Sequence, residues 1–375
     1  MSGEEAVRKG VLESLRGPLH DMVVSKRLLG NVRWLQTTCG VNAQGVPSNS
    51  AFHALFSLAS TLGDEAFYTV ALPLGAWMLD LELTRRLAFF WVSVYYVGQA
   101  TKDLLRLPRP PAPVVRLEHH YSAEYGLPST HAMGSLIPMF LVSVHHWSTG
   151  KPISGALLAS CVGWSGVIAV SRLYMGVHSI PDVVAGYIIG GLLLVFWLCF
   201  GSAVDDIVTG ESWAWLMILT GAGSLVVAYP IPQRWTNSYG DTAIVVATAA
   251  GFLLACCFAQ EGRRHADVTI EVLKRVHLLS SGRLDAYGWS SLLGDVFRCG
   301  VEFLVLLPMR FALKGACRAV MSTLVARSPG WPRSETSRRH AVDIPSKLIV
   351  YGCLGFSSCF LVPRVWLRLE LDRDS

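Results

Sequence analysis

Three short stretches of this chain carry residue types that could do chemistry together. The first is Lys102-Asp-Leu-Leu-Arg106-Leu-Pro-Arg109-Pro110. The second is Pro128-Ser129-Thr130-His131. The third is Ser171-Arg172-Leu-Tyr-Met-Gly-Val-His178-Ser-Ile-Pro-Asp182. Lys102, Arg109 and Arg172 supply cations. Arginine presents a planar fork matched to phosphate oxygens, and lysine adds a point charge. Ser129 and the backbone N–H groups of the helix that follows it add donors at an end that favours anions. His178 and Asp182 stand four apart, with Pro181 suited to a first helical turn. A carboxylate so placed can bond one imidazole nitrogen and leave the other free to attack. His131 is a second imidazole, able to protonate a leaving alkoxide. Nucleophile, orienting carboxylate, acid and oxyanion clamp are all represented, and the pattern contains no metal-ligand set.

The elements that must position these residues are membrane helices. The chain has 375 residues, 52% hydrophobic and only 16% charged, with a mean hydropathy of +0.42. Soluble domains carry about 25% charged residues. The composition excludes an ordinary soluble enzyme, a disordered chain, a coiled coil and a disulfide-stapled miniprotein. Long apolar runs, rather than short alternating strands, argue against a transmembrane barrel. Spans are expected near residues 51–80 (with a possible break at Gly63-Asp64-Glu65), 84–103, 131–147, 153–172, 180–200, 212–230 and 241–259. Weaker runs follow near 299–326 and 343–364. The first of these carries Arg310, Lys314 and Arg318 on one helix face, a pattern that also suits an interfacial helix.

The expected fold is therefore an all-α, polytopic transmembrane helical bundle of about seven to nine spans. It divides into a polar N-terminal segment (1–48), a membrane core (49–260), a cytosolic loop (261–298) and a C-terminal membrane-associated segment (299–375). No apolar run near the start suggests a cleavable signal. The 40 positions from His131 to Ser171 fit two bilayer crossings and a tight turn. All three clusters then return to one face. The opposite side holds Arg85, Arg86, Lys151, Arg263, Arg264, Lys274, Arg275 and Arg283, while the cluster side adds little beyond Arg116 and Arg234. The positive-inside rule makes the clusters lumenal or external. The N-terminus shares their side if 51–80 is one span, and is cytosolic if it is two.

These residues resemble the type 2 phosphatidic acid phosphatase superfamily, whose pattern is KxxxxxxRP, then PSGH, then SRxxxxxHxxxD. The chain reads K-DLLRLP-RP, PSTH and SR-LYMGV-H-SIP-D. The resemblance covers about residues 51–200. Thr130 stands where many members have glycine, and its side chain is expected to crowd the phosphate cradle. The stretch Glu124-Tyr-Gly-Leu-Pro-Ser-Thr-His-Ala-Met, together with the length and the extra C-terminal spans, looks like the sphingosine-1-phosphate (long-chain base phosphate) phosphatase branch.

The resemblance implies a six-helix phosphatase-like core and a metal-independent phosphomonoesterase with no cofactor. It makes His178 the nucleophile that forms a phosphohistidine, Asp182 its orienting group and His131 the general acid. It gives phosphate binding to Lys102, Arg109, Ser129, Thr130 and Arg172. It further implies a sphingoid base phosphate lipid as substrate and an endoplasmic reticulum membrane location with the site facing the lumen. That agrees with the independent charge count. Alternatives are a broader lipid phosphate or polyprenyl diphosphate phosphatase, or a transporter of phosphate lipids on the same scaffold. No nucleic-acid surface is expected. The oligomeric state is open, a homodimer being one form.

Other features read more plainly. Arg106 suits a structural or interfacial role, and Asp103 is assigned none. Glu124 and Tyr125 are placed to shape the substrate entrance. His119-His120 and His145-His146 resemble metal pairs, but adjacent helix residues do not face each other. Trp197, Trp213 and Trp215 suit a core or interfacial belt. Cys161, Cys199, Cys256 and Cys257 lie in apolar runs and read as buried small hydrophobes.

Overall fold

A computed structural model describes residues 3–63, 67, 70–72, 74–75, 81–118, 123–232, 236–263, 289–327 and 334–371. Asp64, Glu65, His119, His120, Arg234, Arg264, Lys274, Arg275 and Arg283, with most of the loop 261–298, lie outside the described residues. The described chain is helical. We label its helices α1 (Gly3–Val23), α2 (Lys26–Thr38), α3 (Ser50–Thr61), α4 (Leu81–Leu105), α5 (Thr130–Gly134), α6 (Ile137–Thr149), α7 (Gly155–Tyr174), α8 (Ile180–Gly210), α9 (Ala214–Ala228), α10 (Asn237–Arg263), α11 (Trp289–Arg327) and α12 (Glu335–Leu371). Gly155–Tyr174, Ile180–Gly210 and Asn237–Phe258 are long and apolar enough to cross a membrane. The described chain forms two compact units. One comprises residues 1–67, 93–198 and 230–239, and the other 68–92, 199–229 and 240–375.

The first unit holds all three clusters. Its ends are set locally. Asn49 caps α3 by accepting from the N–H groups of Ala51 and Phe52, and Ser154 caps α7 by accepting from Leu157. α3 stops at Thr61, where the break at Gly63 is expected. The polar N-terminal segment has more structure than its composition suggests. α1 and α2 form, and Leu29, Val32 and Gln36 are buried. Arg16 donates to the carbonyls of Leu104 and Leu105 at the end of α4, a favourable place for a cation. Gln36 donates to Val115 and Tyr174 carbonyls and accepts from the Val115 N–H. These contacts hold α1 at the end of α4 that carries Lys102, and α2 at the end of α7 that carries Arg172.

The helix expected over 131–147 is two pieces. Pro138 has no N–H to donate to the Gly134 carbonyl, so the ladder cannot run through. Just before it, the Ser135 hydroxyl donates back to Ala132 at 2.7 Å, competing with the backbone. The chain turns at Ser135-Leu136 and starts again as α6. α8 has two faces. Val184, Ile188, Leu192 and Val195 recur at helical spacing and are exposed, as lipid-facing residues are. Gly186 and Gly190 lie on the other side. A Cβ at Gly186 would stand 2.6 Å from the Ser129 carbonyl, and one at Gly190 would stand 3.0 Å from the Met133 Cα. This small-xxx-small stripe is what lets α5 lie against α8.

In the second unit α11 packs on α12. Gly251 of α10 sits against Gly352 of α12, and Gly355 against Thr248. Arg310 donates to the Tyr351 hydroxyl, and Arg318 pairs with Asp343 at 3.2 Å. Two of the three cations on that expected face therefore meet α12, while Lys314 is exposed. Cys161, Cys256 and Cys257 are buried as expected, but Cys199 is exposed.

One cation assigned to the cytosolic rim is in the interior. Arg85 is buried and donates through Nε and an Nη to both Asp205 carboxylate oxygens at 2.8 Å. Arg86 instead pairs with Glu82 at 2.7 Å. A buried pair loses far more when one partner is removed than when both become apolar. Arg85→Met alone should therefore destabilise the detergent-solubilised protein by about 3–5 kcal/mol. Arg85→Met with Asp205→Leu should restore most of that loss in thermal unfolding. Equal instability of the single and double variants would exclude this account.

Candidate active site

The three clusters converge. Lys102, Arg109, Ser129, Thr130, His131, Arg172, His178 and Asp182 are all buried, and each is fixed by the element beneath it. Lys102 lies in the last turn of α4. Arg106 then takes a left-handed conformation, φ 55°, which ends the helix in the way a glycine commonly does. Its Nε donates to the Asp103 carbonyl. This turn sends Leu107-Pro-Arg109 back across the site. The neighbouring Asp103 is also buried and accepts from Thr236 at 3.4 Å.

Ser129 caps α5, its hydroxyl accepting from the Ala132 N–H at 3.4 Å. The hydroxyl proton remains available to a ligand. Asp182 and Ser179 form a reciprocal capping box on α8. The Ser179 N–H donates to the Asp182 carboxylate at 2.7 Å, and the Asp182 N–H donates to the Ser179 hydroxyl at 3.4 Å. Capping and chemistry are thus not alternatives for Asp182, because the same oxygen lies 3.5 Å from His178 Nδ1. The Ser129 N–H donates to the Asp182 carbonyl at 2.9 Å, tying the second cluster to the third. Gly176, just before His178, has φ +68°, and any Cβ there would strike the Val115 carbonyl. Only glycine suits that turn.

The imidazole of His178 therefore has two distinct sides. Nδ1 faces Asp182, while Nε2 lies 3.5 Å from an Nη of Arg109. That Nη also donates to the Val177 carbonyl at 2.8 Å. Burial first, then Arg109, Arg172, Lys102 and His131, pushes His178 well below the ordinary imidazole range. Such an environment favours the neutral imidazole over the charged one. His131 lies close against Gly63, where a Cβ would come within 2.5 Å of its ring.

Thr130 does not crowd the cradle as expected. Its methyl turns to Gly98, one helical turn before Lys102, where a Cβ would stand 2.5 Å away. Its hydroxyl lies 3.2 Å from Lys102 Nζ and accepts from it. Gly98 makes the room that threonine needs.

Three further polar groups join the site. Glu124 pairs with Arg109 at 3.2 Å and with Lys102 at 3.8 Å. Glu118 pairs with Arg172 at 3.1 Å and accepts from the Ser60 hydroxyl at 2.7 Å. Ser60 itself accepts from Arg172. Glu124 stood in a stretch already singled out. Glu118 and Ser60 carried no sequence signal, because nothing in the chain's order places α3 beside Arg172. The pair His145-His146 serves a helix end, where His146 Nδ1 donates to the Lys151 carbonyl. Among the described residues no three His, Cys, Asp or Glu side chains gather to hold a metal.

Residues 84–206 match the model of the PAP2 superfamily. Sphingosine-1-phosphate phosphatase 1 of Mus musculus is 33% identical over 329 residues, 85% of this chain and 73% of that protein. The chain belongs to the PAP2 superfamily. Sphingosine-1-phosphate phosphatase 2 of Mus musculus is 30% identical over 334 residues, covering 87% and 90%. A dihydrosphingosine 1-phosphate phosphatase of Schizosaccharomyces pombe is 25% identical over 388 residues, covering 96% and 92%. No solved structure gives a significant match. The PAP2 match spans every cluster residue and makes the chain an all-α membrane phosphatase.

Two outcomes test this geometry. Gly98→Ala should lower phosphatase activity roughly tenfold, about 1.4 kcal/mol. Adding Thr130→Ser, which removes the methyl that a new Cβ would meet, should recover most of it. A double variant no better than Gly98→Ala would separate the two residues. In the pH profile of kcat/KM, lowering pH protonates His178 only below its depressed pKa. The acid limb due to His178 should therefore fall below about 6.5, and a limb that His178 substitution shows to lie higher would contradict the buried neutral imidazole.

Proposed function

We propose that the protein hydrolyses sphingoid long-chain base 1-phosphates to the free base and phosphate, through a phosphohistidine at His178. The observation that carries this reading is the two-sided imidazole, with Nδ1 on Asp182 and Nε2 among the clamp cations. The relatives' names support the choice of substrate.

Lys102, Arg109 and Arg172, with the Ser129 hydroxyl and Thr130, hold the phosphate oxygens. Fixed donors of this kind act most strongly on charge that develops in the transition state. His178 Nε2 attacks phosphorus and the bond from phosphorus to the lipid oxygen breaks. His131 gives its proton to the departing alkoxide and becomes neutral. A water molecule then loses a proton to His131 and attacks the phosphohistidine. The P–N bond breaks, and phosphate leaves with His178 free again. Asp182 holds the Nδ1 proton and offsets the charge on the ring throughout.

The lipid tail stays among the spans while the headgroup meets the cations. The active site faces the lumen of the endoplasmic reticulum, as the Lys and Arg balance of the loops supports. Removing Arg85 from that balance leaves its sign unchanged.

The test is phosphate release by detergent-purified protein with EDTA present, from a sphingoid base 1-phosphate and from phosphatidate. Faster release from the former, with EDTA harmless, is expected. His178→Ala should lose at least about a thousandfold, and Arg172→Lys should be severely impaired because the planar fork is lost. Preference for phosphatidate would overturn the substrate. Turnover by His178→Ala near that of the parent protein would overturn the mechanism.

A further inference from the structure

The phosphate clamp is electrically balanced before any substrate arrives. Its cations are Lys102, Arg109 and Arg172. Three carboxylates stand among them, Asp182 beside His178, Glu124 on Arg109 and Lys102, and Glu118 on Arg172. Asp182 is accounted for by the histidine. The other two neutralise buried cations, yet they also oppose an incoming phosphate, which a site holding cations alone would attract more strongly. A phosphate monoester adds a charge of about −1.5 to −2 at neutral pH. In a buried site that excess negative charge is costly. A ligand that carries a positive charge close to its phosphate removes part of the excess.

We infer that Glu118 receives the ammonium group of the substrate and so selects amine-bearing phosphate lipids. This rests on the sphingoid base reading, in which the amine sits on the carbon next to the one carrying phosphate. Glu118 and Glu124 differ in access. The Glu124 side chain is 4% exposed and is enclosed by two clamp cations, whereas that of Glu118 is 18% exposed. The Glu118 oxygens are each fixed by one donor, Oε1 by the Ser60 hydroxyl and Oε2 by Arg172. A carboxylate oxygen accepts at more than one lone pair, so both can still take an N–H. Because Arg172 holds both the phosphate and Glu118, the carboxylate lies one guanidinium away from the phosphate. That is the neighbourhood in which an amine on the adjacent carbon arrives. Glu124, in contrast, is a positioning residue that keeps Lys102 and Arg109 together.

The experiment compares dihydrosphingosine 1-phosphate with 3-hydroxyoctadecyl 1-phosphate, which has the same chain, hydroxyl and phosphate but no amine. The ratio of their kcat/KM values is measured for the parent protein, Glu118→Gln, Glu118→Asp and Glu124→Gln. A charge-assisted hydrogen bond changes a rate ratio by roughly tenfold to a hundredfold. The parent protein should prefer the amine. Glu118→Gln should cut the preference at least about tenfold, with Glu118→Asp retaining part of it. Glu124→Gln should slow both substrates alike. An unchanged ratio in Glu118→Gln, or a ratio that falls in Glu124→Gln instead, would overturn the inference. A parent protein with no preference for the amine would overturn the sphingoid base reading itself.

Discussion

Burying three cations and a neutral imidazole in an apolar bundle is the constraint on which the rest of this structure depends. An isolated charge in such a place is costly unless it is paired and hydrogen-bonded. The chain answers with carboxylates on each cation and backbone carbonyls in reach of them. Arg109 has Glu124 and the Val177 carbonyl, Arg172 has Glu118 and Ser60, and Lys102 has Thr130 and Glu124. The cluster is therefore preorganised without a ligand, and in the proposed reading a phosphate must compete with groups already present, which makes its binding selective.

The same economy appears in the backbone. One capping box starts α8 and aims Asp182 at His178. One N–H, that of Ser129, joins the helix start bearing His131 to the helix start bearing Asp182. The proposed acid and the proposed nucleophile thus lie on elements locked to each other through main chain rather than through flexible side chains. Preorganisation of this kind keeps reorganisation during reaction small. The glycines of α8 serve the same end, because α5 could not reach Asp182 if Gly186 or Gly190 carried a side chain.

How much of this the sequence shows depends on the range of the interaction. His178 and Asp182 are four apart, and Ser179 lies between them, so their relation follows from helix geometry. Cluster convergence was legible too, since spans of known length return the chain to one face. Contacts set by tertiary packing were not. Arg85 reads as a rim cation because nothing local reveals Asp205, 120 positions away. Gly98 reads as an ordinary span residue until Thr130 is seen against it. The continuous helix expected over 131–147 follows from apolar composition, and it fails at Pro138, where a missing N–H outweighs hydrophobicity.

On the readings proposed above, Thr130 and Glu118 together illustrate how a shared motif can leave the substrate open. The residues proposed to hold and transfer phosphate answer to the chemistry of phosphorus. What surrounds them is free to vary. Replacing a motif glycine by Thr130 moves a hydroxyl onto Lys102, and the compensation lies in another helix, at Gly98. A carboxylate on Arg172 lets that cation be buried but costs the clamp some attraction for any phosphate, and on the reading proposed above an amine-bearing headgroup recovers part of that cost. A pocket with cations alone would take every phosphate lipid in the bilayer in proportion to its abundance. A pocket balanced by carboxylates takes best the headgroup that brings its own positive charge. On this argument selectivity lies in the counter-ions of the clamp and not in the clamp itself.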